Sequence, residues 1–178
     1  MRISPQCPAC LLNRAYMESR FVTDDEELIF KAVGEALKIL ADSYFSKGIN
    51  AHIATVMHRK VYEVLGVEDP YKEVKKKANE VAMESLPLIE DFVRKQPDTF
   101  RASAIASIIA NTFDYGVMGH KVADENFMDY FKSQFERGLK IDHLDEIRDL
   151  CKGRVVYLTD NCGEIVVDTL FMKEIKKL

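Results

Sequence analysis

Near its carboxyl end the sequence reads Arg154-Val155-Val156-Tyr157-Leu158-Thr159-Asp160-Asn161-Cys162-Gly163-Glu164. Residues 155–158 are a short run of β-branched, aromatic and aliphatic side chains, which predicts a buried strand. The run ends before the polar pair Asp160-Asn161, and Gly163 permits a tight turn. An amphipathic pattern begins at Ile165. The stretch therefore predicts a strand, a polar turn and a helix, in that order.

Asp160 and Asn161 are candidate functional residues because of their place in this pattern. In open α/β sheets, ligands bind beyond the carboxyl ends of the strands. A carboxylate beside an amide carbonyl supplies hard oxygen ligands, which suit Mg²⁺ or Mn²⁺ and a phosphorylated substrate. An ordinary Asx turn accounts for the same two residues equally well. The residues alone leave both interpretations open.

The bulk composition excludes several classes of protein. The chain has 178 residues, enough for one sizeable core, and its 25 Lys and Arg against 29 Asp and Glu argue against a dedicated nucleic-acid binder. Its longest strongly apolar run, residues 102–110, is far shorter than the roughly 20 residues that span a bilayer. Residues 1–6 lack the apolar core of a signal peptide, and four cysteines do not suggest a secreted disulfide scaffold. We therefore expect a cytoplasmic protein that binds neither nucleic acid nor membranes.

The sequence before Gly153 predicts a series of helices. A capping box over residues 23–26, with Thr23 as the cap, starts one helix. Asn50 can cap the next helix and Gly66 can close it. Asp69-Pro70 starts another, in which Pro87 predicts a kink or a break.

The change from a helical to a strand pattern at Gly153 is the only domain boundary that we predict. The expected fold is mainly α, with a helical domain over residues 1–152. Residues 153–178 are expected to form the first strand and helix of an α/β (Rossmann-like) domain. One strand cannot form a sheet alone, so a further segment or a second chain is expected to complete it.

A polar stripe runs down the helix that we predict over residues 99–114. Apolar residues occupy nearly every other position, so this helix should be central and buried. Ser103, Ser107, Asn111 and Asp114 follow each other at helical spacing. Unpaired polar groups are costly to bury, so the stripe must either line a wet cleft or cap the helix end against a loop at Gly116.

Four stretches of the chain resemble the metal-dependent damage-control phosphatases, long known as domain of unknown function eighty-nine. The resemblance is to the archaeal and bacterial branch of that family, and the stretches occur in family order. They are Cys7-Pro8-Ala9-Cys10-Leu11-Leu12, Asp69-Pro70-Tyr71 with Lys75, Asn111-Thr112-Phe113-Asp114-Tyr115-Gly116, and Asp160-Asn161-Cys162-Gly163-Glu164. Together they span nearly the whole chain, which is more specific than any one motif.

The resemblance implies a phosphatase that hydrolyses small phosphorylated metabolites, such as sugar phosphates, with a divalent metal (Mn²⁺, Mg²⁺, Co²⁺ or Ni²⁺). By this resemblance Asp160 and Asn161 bind the metal, Glu164 is catalytic, and Asn111 and Asp114 contact the substrate. We therefore expect the carboxyl end of the 99–114 helix to face the Asp160 turn across one cleft.

In the family a further metal-binding Asp and a substrate-binding Lys follow the signature at a distance. The sequence ends at Leu178, before either position. We therefore expect the amino-terminal portion of a larger enzyme, inactive alone, which a missing carboxy-terminal segment or a second chain completes. The alternative is a non-catalytic helical binding module completed by a partner chain.

Cys7 and Cys10 are open to three interpretations. A closed zinc site needs four ligands, and no second Cys-x-x-Cys or His-x₃₋₅-His pair is present. Redox activity is the second interpretation, although the pair does not follow a strand as in thioredoxin-like sites. We expect two thiols buried at the start of a helix, which hydrolysis does not require.

Overall fold

The structure is a computed structural model that describes residues 1–111 and 127–178. Most of the described residues lie in α-helices. The described residues form eight of them, which confirms the prediction of a mainly α fold. They are α1 (Cys7–Val22), α2 (Glu26–Tyr44), α3 (Asn50–Leu65), α4 (Lys72–Arg94), α5 (Thr99–Ala110), α6 (Phe127–Arg137), α7 (Leu144–Leu150) and α8 (Glu164–Ile175).

The described chain divides into two compact units, Met1–Lys72 and Glu73–Leu178. Each unit has a hydrophobic core of its own. The division that we predicted at Gly153 is of another kind, between helical and α/β sequence, and it stays a prediction.

The first unit is built on α1, α2 and α3, whose buried residues recur every three or four positions, so that each helix presents one apolar face. Ala32 and Ala36 are fully buried on α2, where small side chains let neighbouring helices approach closely. The buried core comprises Leu11, Ala15, Ala32, Ala36, Leu40, Ile53, Met57, Val61 and Leu65.

The start of α2 corrects one predicted helix cap. Asp25 is the N-cap, and its carboxylate accepts hydrogen bonds from the backbone N–H groups of Glu27 (3.0 Å) and Leu28 (3.3 Å). Thr23, the predicted cap, accepts instead from the N–H of Asp25 at 3.1 Å. An acidic cap satisfies the free donors and also carries negative charge at the positive end of the helix, so Asp25 prevails.

Three further predictions concern single residues at or inside helices. Asn50 is the first residue of α3, with Ile49 as N-cap, so Asn50 does not cap the helix as predicted. Gly66 closes α3 in the left-handed conformation, with a φ of 70°, which confirms its predicted role. Pro87 lies inside α4, which continues to Arg94, so the predicted break does not occur.

The second unit is organised around α5, which is buried along almost its whole length, as predicted. Asp98 caps it by accepting from the N–H of Arg101 at 3.0 Å. The helix packs against α8 and α6 and ends at Ala110, with Asn111 as its C-cap. The predicted continuation to Asp114 lies outside the described residues.

Residues 154–158 form neither helix nor strand, so the predicted buried strand is not shown here. The side chains of Val156 and Leu158 are 78% and 87% exposed. A strand exists only through hydrogen bonds to a neighbour, and the chain on either side of the 112–126 gap offers no such strand to this segment. The α/β part of the predicted fold is therefore not shown.

None of the described helices has the length and apolar character to cross a bilayer.

Candidate functional site

The turn at residues 160–163 leads directly into α8, whose first residue is Glu164. Gly163 is the N-cap and has a φ of 84°, a conformation that side-chain-bearing residues rarely adopt. Its backbone N–H donates to Oδ1 of Asn79, on α4, at 2.7 Å. Asn79 therefore holds the turn in place, although it looks like any other polar residue of an amphipathic helix in the sequence.

Three side-chain oxygens converge on the amide nitrogen of Asn161. Nδ2 of Asn161 lies 3.1 Å from Oδ1 of Asn111, 3.3 Å from Oδ2 of Asp160 and 3.4 Å from Oε2 of Glu164. A primary amide has two N–H groups, so it cannot serve three acceptors fully at once. The cluster therefore has three acceptor oxygens but only the two N–H groups of Asn161 to bind them.

This cluster joins four of the five site residues that the sequence predicts. Asn111 reaches it from the end of α5, and Asp160, Asn161 and Glu164 come from the turn and α8, about fifty positions further along. The end of α5 thus lies at the Asp160 turn, as expected. Asp114, the fifth residue, lies outside the described residues.

The electrostatics of the cluster are dominated by negative charge. Burial raises the pKa of Glu164, and the neighbouring carboxylates of Asp168 and Asp160 raise it further, while hydrogen bonds from Asn161 oppose the shift. A site that resists the charged form of a carboxyl group favours a bound proton or a cation.

A buried network lies behind the cluster and links α5 to α8. The carboxylate of Asp168 is 1% exposed, and its Oδ1 accepts a short hydrogen bond from Ser107. Oγ of Ser107 lies 3.2 Å from the hydroxyl of Tyr157, whose pKa is raised by burial and by the charge of Asp168. Ser103 takes no part, because its hydroxyl donates to the carbonyl of Phe100 in its own helix at 2.9 Å.

Asp168 is the main residue that the sequence reasoning missed. Its signal is a carboxylate one turn after Glu164 that directly follows the apolar run of residues 165–167. A charged residue on the buried face of a helix points to a partner or a function.

The donor atoms of the cluster are of the kind that bind Mg²⁺ or Mn²⁺. The carboxylates of Asp160 and Glu164 and the amide carbonyl of Asn111 are hard oxygen ligands, whereas Asn161 presents its Nδ2 to them and would have to turn its amide to offer its carbonyl. Residues 1–111 and 127–178 contain no group of three or more His, Cys, Asp or Glu residues arranged to hold a metal ion. The four side chains of the cluster, two carboxylates and two amides, thus have the chemical character that such an ion prefers.

The Asp69-Pro70-Tyr71 motif serves a different cluster, in the first unit. Oδ1 of Asp69 accepts from the N–H of Tyr71 at 2.9 Å, and the Tyr71 hydroxyl donates to Glu18 at 2.9 Å. Glu18 is buried and is also bonded to Tyr62 (3.1 Å) and to Nδ1 of His58 (2.7 Å). Burial, followed by the charge of Glu18, raises the pKa of Tyr71 to about 12.

The cysteine pair at the start of α1 differs from the prediction of two buried thiols. Cys7 is partly buried and Cys10 is exposed, and both are free thiols. The first turn of α1 turns the two positions outward from the core, which begins at Leu11.

Comparison with known proteins places this geometry in context. A model of the damage-control phosphatase ARMT1-like domain matches residues 3–178. A damage-control phosphatase of Archaeoglobus fulgidus is 58% identical over 177 residues, which cover 99% of this chain and 62% of the relative. A damage-control phosphatase of Pyrococcus horikoshii is 26% identical over 180 residues, which cover all of this chain and 61% of the relative.

The fold is also found among solved structures. The crystal structure of a DUF89 family protein from Pyrococcus horikoshii matches 99% of this chain and 61% of its own, with a TM-score of 0.85 and 27% identity. The chain thus spans about three fifths of the length of these relatives.

Proposed function

The chain belongs to the family defined by the damage-control phosphatase ARMT1-like domain, and from this membership we propose that the complete protein is a metal-dependent phosphatase. Its substrates are phosphate monoesters of small cytoplasmic metabolites, such as sugar phosphates. The observation that supports this most directly is the convergence of oxygens from Asn111, Asp160 and Glu164 on the amide of Asn161.

Asp160 and Asn161 are the residues that would hold the divalent cation, which is Mn²⁺, Mg²⁺, Co²⁺ or Ni²⁺. Such an ion, when bound, neutralises phosphate charge and lowers the pKa of a coordinated water. Asn79 supports this arrangement by fixing the turn through the N–H of Gly163, so the two ligands keep their direction.

Glu164 is proposed to orient the attacking water and to accept its proton. The pKa of its carboxyl group is raised by burial and by Asp168, so it holds a proton more readily than an exposed glutamate does. Its Oε2 lies 3.4 Å from Asn161, which keeps the carboxylate beside the proposed metal ligand.

Asn111 and Asp114 are proposed to contact the substrate. Asn111 stands at the end of α5, exposed and within 3.1 Å of Asn161, where its amide can meet a polar ligand. The assignment of Asp114 rests on the family motif alone.

Residues 155–158 are proposed to pair with a segment outside this chain, from the rest of the polypeptide or from a second chain. The exposure of Val156 and Leu158 supports such pairing, because they belong to one contiguous apolar run, and contiguous exposed apolar surface marks interaction sites. By this proposal residues 1–178 alone have little or no activity. A non-catalytic helical module completed by a partner would use the same segment.

Phosphate release by the full-length protein separates the two. A panel of sugar phosphates is incubated with chelator-treated protein, with and without each of the four metals. We expect release that depends on added metal, and its loss in Asp160→Ala with an unchanged circular dichroism spectrum. Asp91→Ala, at an exposed position of α4 where the carboxylate forms an ion pair with Lys95, is the matched control and should retain activity. Undiminished turnover of Asp160→Ala at saturating Mn²⁺ contradicts the metal assignment, and no release with any metal favours the binding module.

A further inference from the structure

The Cys7 and Cys10 thiols lie on the first turn of α1, where they are accessible. Helix α1 begins at Cys7, and Cys10 follows three positions later, so the two side chains share one face. Cys10 is exposed and Cys7 is partly buried. The proposed phosphatase site uses neither of them.

The surroundings of Cys7 favour its thiolate. Sγ accepts a hydrogen bond from the backbone N–H of Ser4 at 3.2 Å, and Oγ of Ser4 lies at the same distance. The sulfur also sits at the amino end of a 16-residue helix, where the aligned peptide dipoles favour negative charge. The hydrogen bonds to Ser4 hold the pKa of the Cys7 thiol below its ordinary value of 9.0.

Cys10 is placed to act as the second thiol. It is exposed on the same helix, three positions after Cys7, so a reagent that reaches Cys7 also meets Cys10. A zinc site has no support here, because the described part of the chain holds no third metal-binding side chain beside the pair.

We propose that Cys7 and Cys10 form a thiol–disulfide exchange site for low-molecular-weight disulfides, with Cys7 as the attacking sulfur. The Cys7 thiolate attacks one sulfur of RS–SR, so a mixed disulfide forms at Cys7 and one RS⁻ leaves and takes a proton from water. Cys10 loses its proton to water and attacks Sγ of Cys7, which expels the second RS⁻ to be protonated in turn. The two protein thiols are oxidised to one disulfide, and RS–SR is reduced to two thiols.

The first turn of α1 can tighten to make this bond. Side chains three positions apart on a helix have their Cβ atoms about 5–6 Å apart, whereas a disulfide needs about 3.5–4.5 Å. The first N–H groups of a helix have no intrahelical partner, and Pro8 has no N–H at all. The bond from the N–H of Cys10 to the carbonyl of Gln6 is already long, at 3.3 Å.

Trypsin isolates the pair in one peptide, because cleavage after Arg2 and Arg14 releases residues 3–14 without Cys151 or Cys162. The full chain is equilibrated with excess glutathione disulfide, quenched in acid, alkylated and digested. We expect this peptide to be lighter than its dithiol form by two hydrogen atoms. Two free thiols, or a lasting mixed disulfide in the wild-type protein, would overturn the proposal.

Two variants identify the attacking sulfur. Cys10→Ser should trap the mixed disulfide at Cys7, and it should form this adduct faster than Cys7→Ser does at Cys10. Adding Ser4→Ala to Cys10→Ser should slow the reaction about two- to tenfold, the effect of one ordinary hydrogen bond. In concentrated urea the Ser4 effect should vanish, since the turn is then unfolded. Equal rates for the two single-cysteine variants, or a Ser4 effect that persists in urea, would refute the assignment of Cys7.

Discussion

Replacing Ser107 with alanine should destabilise the second unit much more than the same change at Ser103. Ser107 donates to the carboxylate of Asp168, which stays buried after the change and loses a partner. Hydrogen bonds to charged groups contribute about 1.5–3 kcal/mol, and the Tyr157 hydroxyl also loses its neighbour, so we expect a loss of about 2–3 kcal/mol. Ser103 is also buried, but its hydroxyl bonds to a carbonyl of its own helix, and alanine favours helix formation, so the loss for Ser103→Ala should stay below about 1 kcal/mol.

Urea unfolding followed by far-ultraviolet circular dichroism measures both variants, since the chain has no Trp. Ser103→Ala is the matched control because it removes the same hydroxyl from the same helix. A double-mutant cycle with Tyr157→Phe then tests the network, for which a coupling of about 0.5–3 kcal/mol is typical of residues in contact. Free energies of unfolding that agree within about 0.5 kcal/mol for the two alanine variants would show that the Asp168 network does not stabilise the unit.

Glu164→Gln should stabilise the protein at neutral pH, since the raised pKa of Glu164 means that its charged form is disfavoured in the native state. The gain in the free energy of unfolding should shrink as the pH falls through the raised pKa and vanish below the ordinary value of 4.5. A gain that does not depend on pH would contradict this. Glu18→Ala should lower the free energy of unfolding of the first unit by about 2–4 kcal/mol, because three hydrogen bonds to a buried carboxylate are lost, whereas Glu18→Gln keeps an acceptor and should cost less. Equal unfolding midpoints for these two variants would argue against the hydrogen-bond account. The double variant of Cys7 and Cys10 to serine should retain metal-dependent phosphate release in the complete protein, and lost turnover would link the thiols to catalysis.

Features decided within one helical turn could be predicted from the sequence. The closing of α3 by Gly66 and the burial of α5 both follow from residues within a few positions of one another. Where two caps compete within four residues, as Thr23 and Asp25 do, the pattern alone does not decide between them.

Contacts between distant helices could be predicted only in part. The polar stripe indicated that Ser107 and Asn111 need partners, and the family motif pointed to the Asp160 turn. The pairing of Asn79 with Gly163 joins positions 84 apart, and that of Ser107 with Asp168 joins positions 61 apart. Helical spacing shows which side chains share a face, but not which face of another helix they meet. The predicted strand stays a prediction for the same reason, because a strand needs a neighbour that the local pattern does not supply.

The largely exposed segment at residues 155–158 is also expected to lower the solubility of residues 1–178. It contains no charge and no proline, and its backbone is unpaired with any strand in the described ranges, so copies of the protein can aggregate by pairing these segments edge to edge. Arg154 and Asp160 flank the run as charged gatekeepers that oppose such stacking. Asp160 would then have a second role, and neutralising its charge would promote precipitation whether or not the protein is catalytically active.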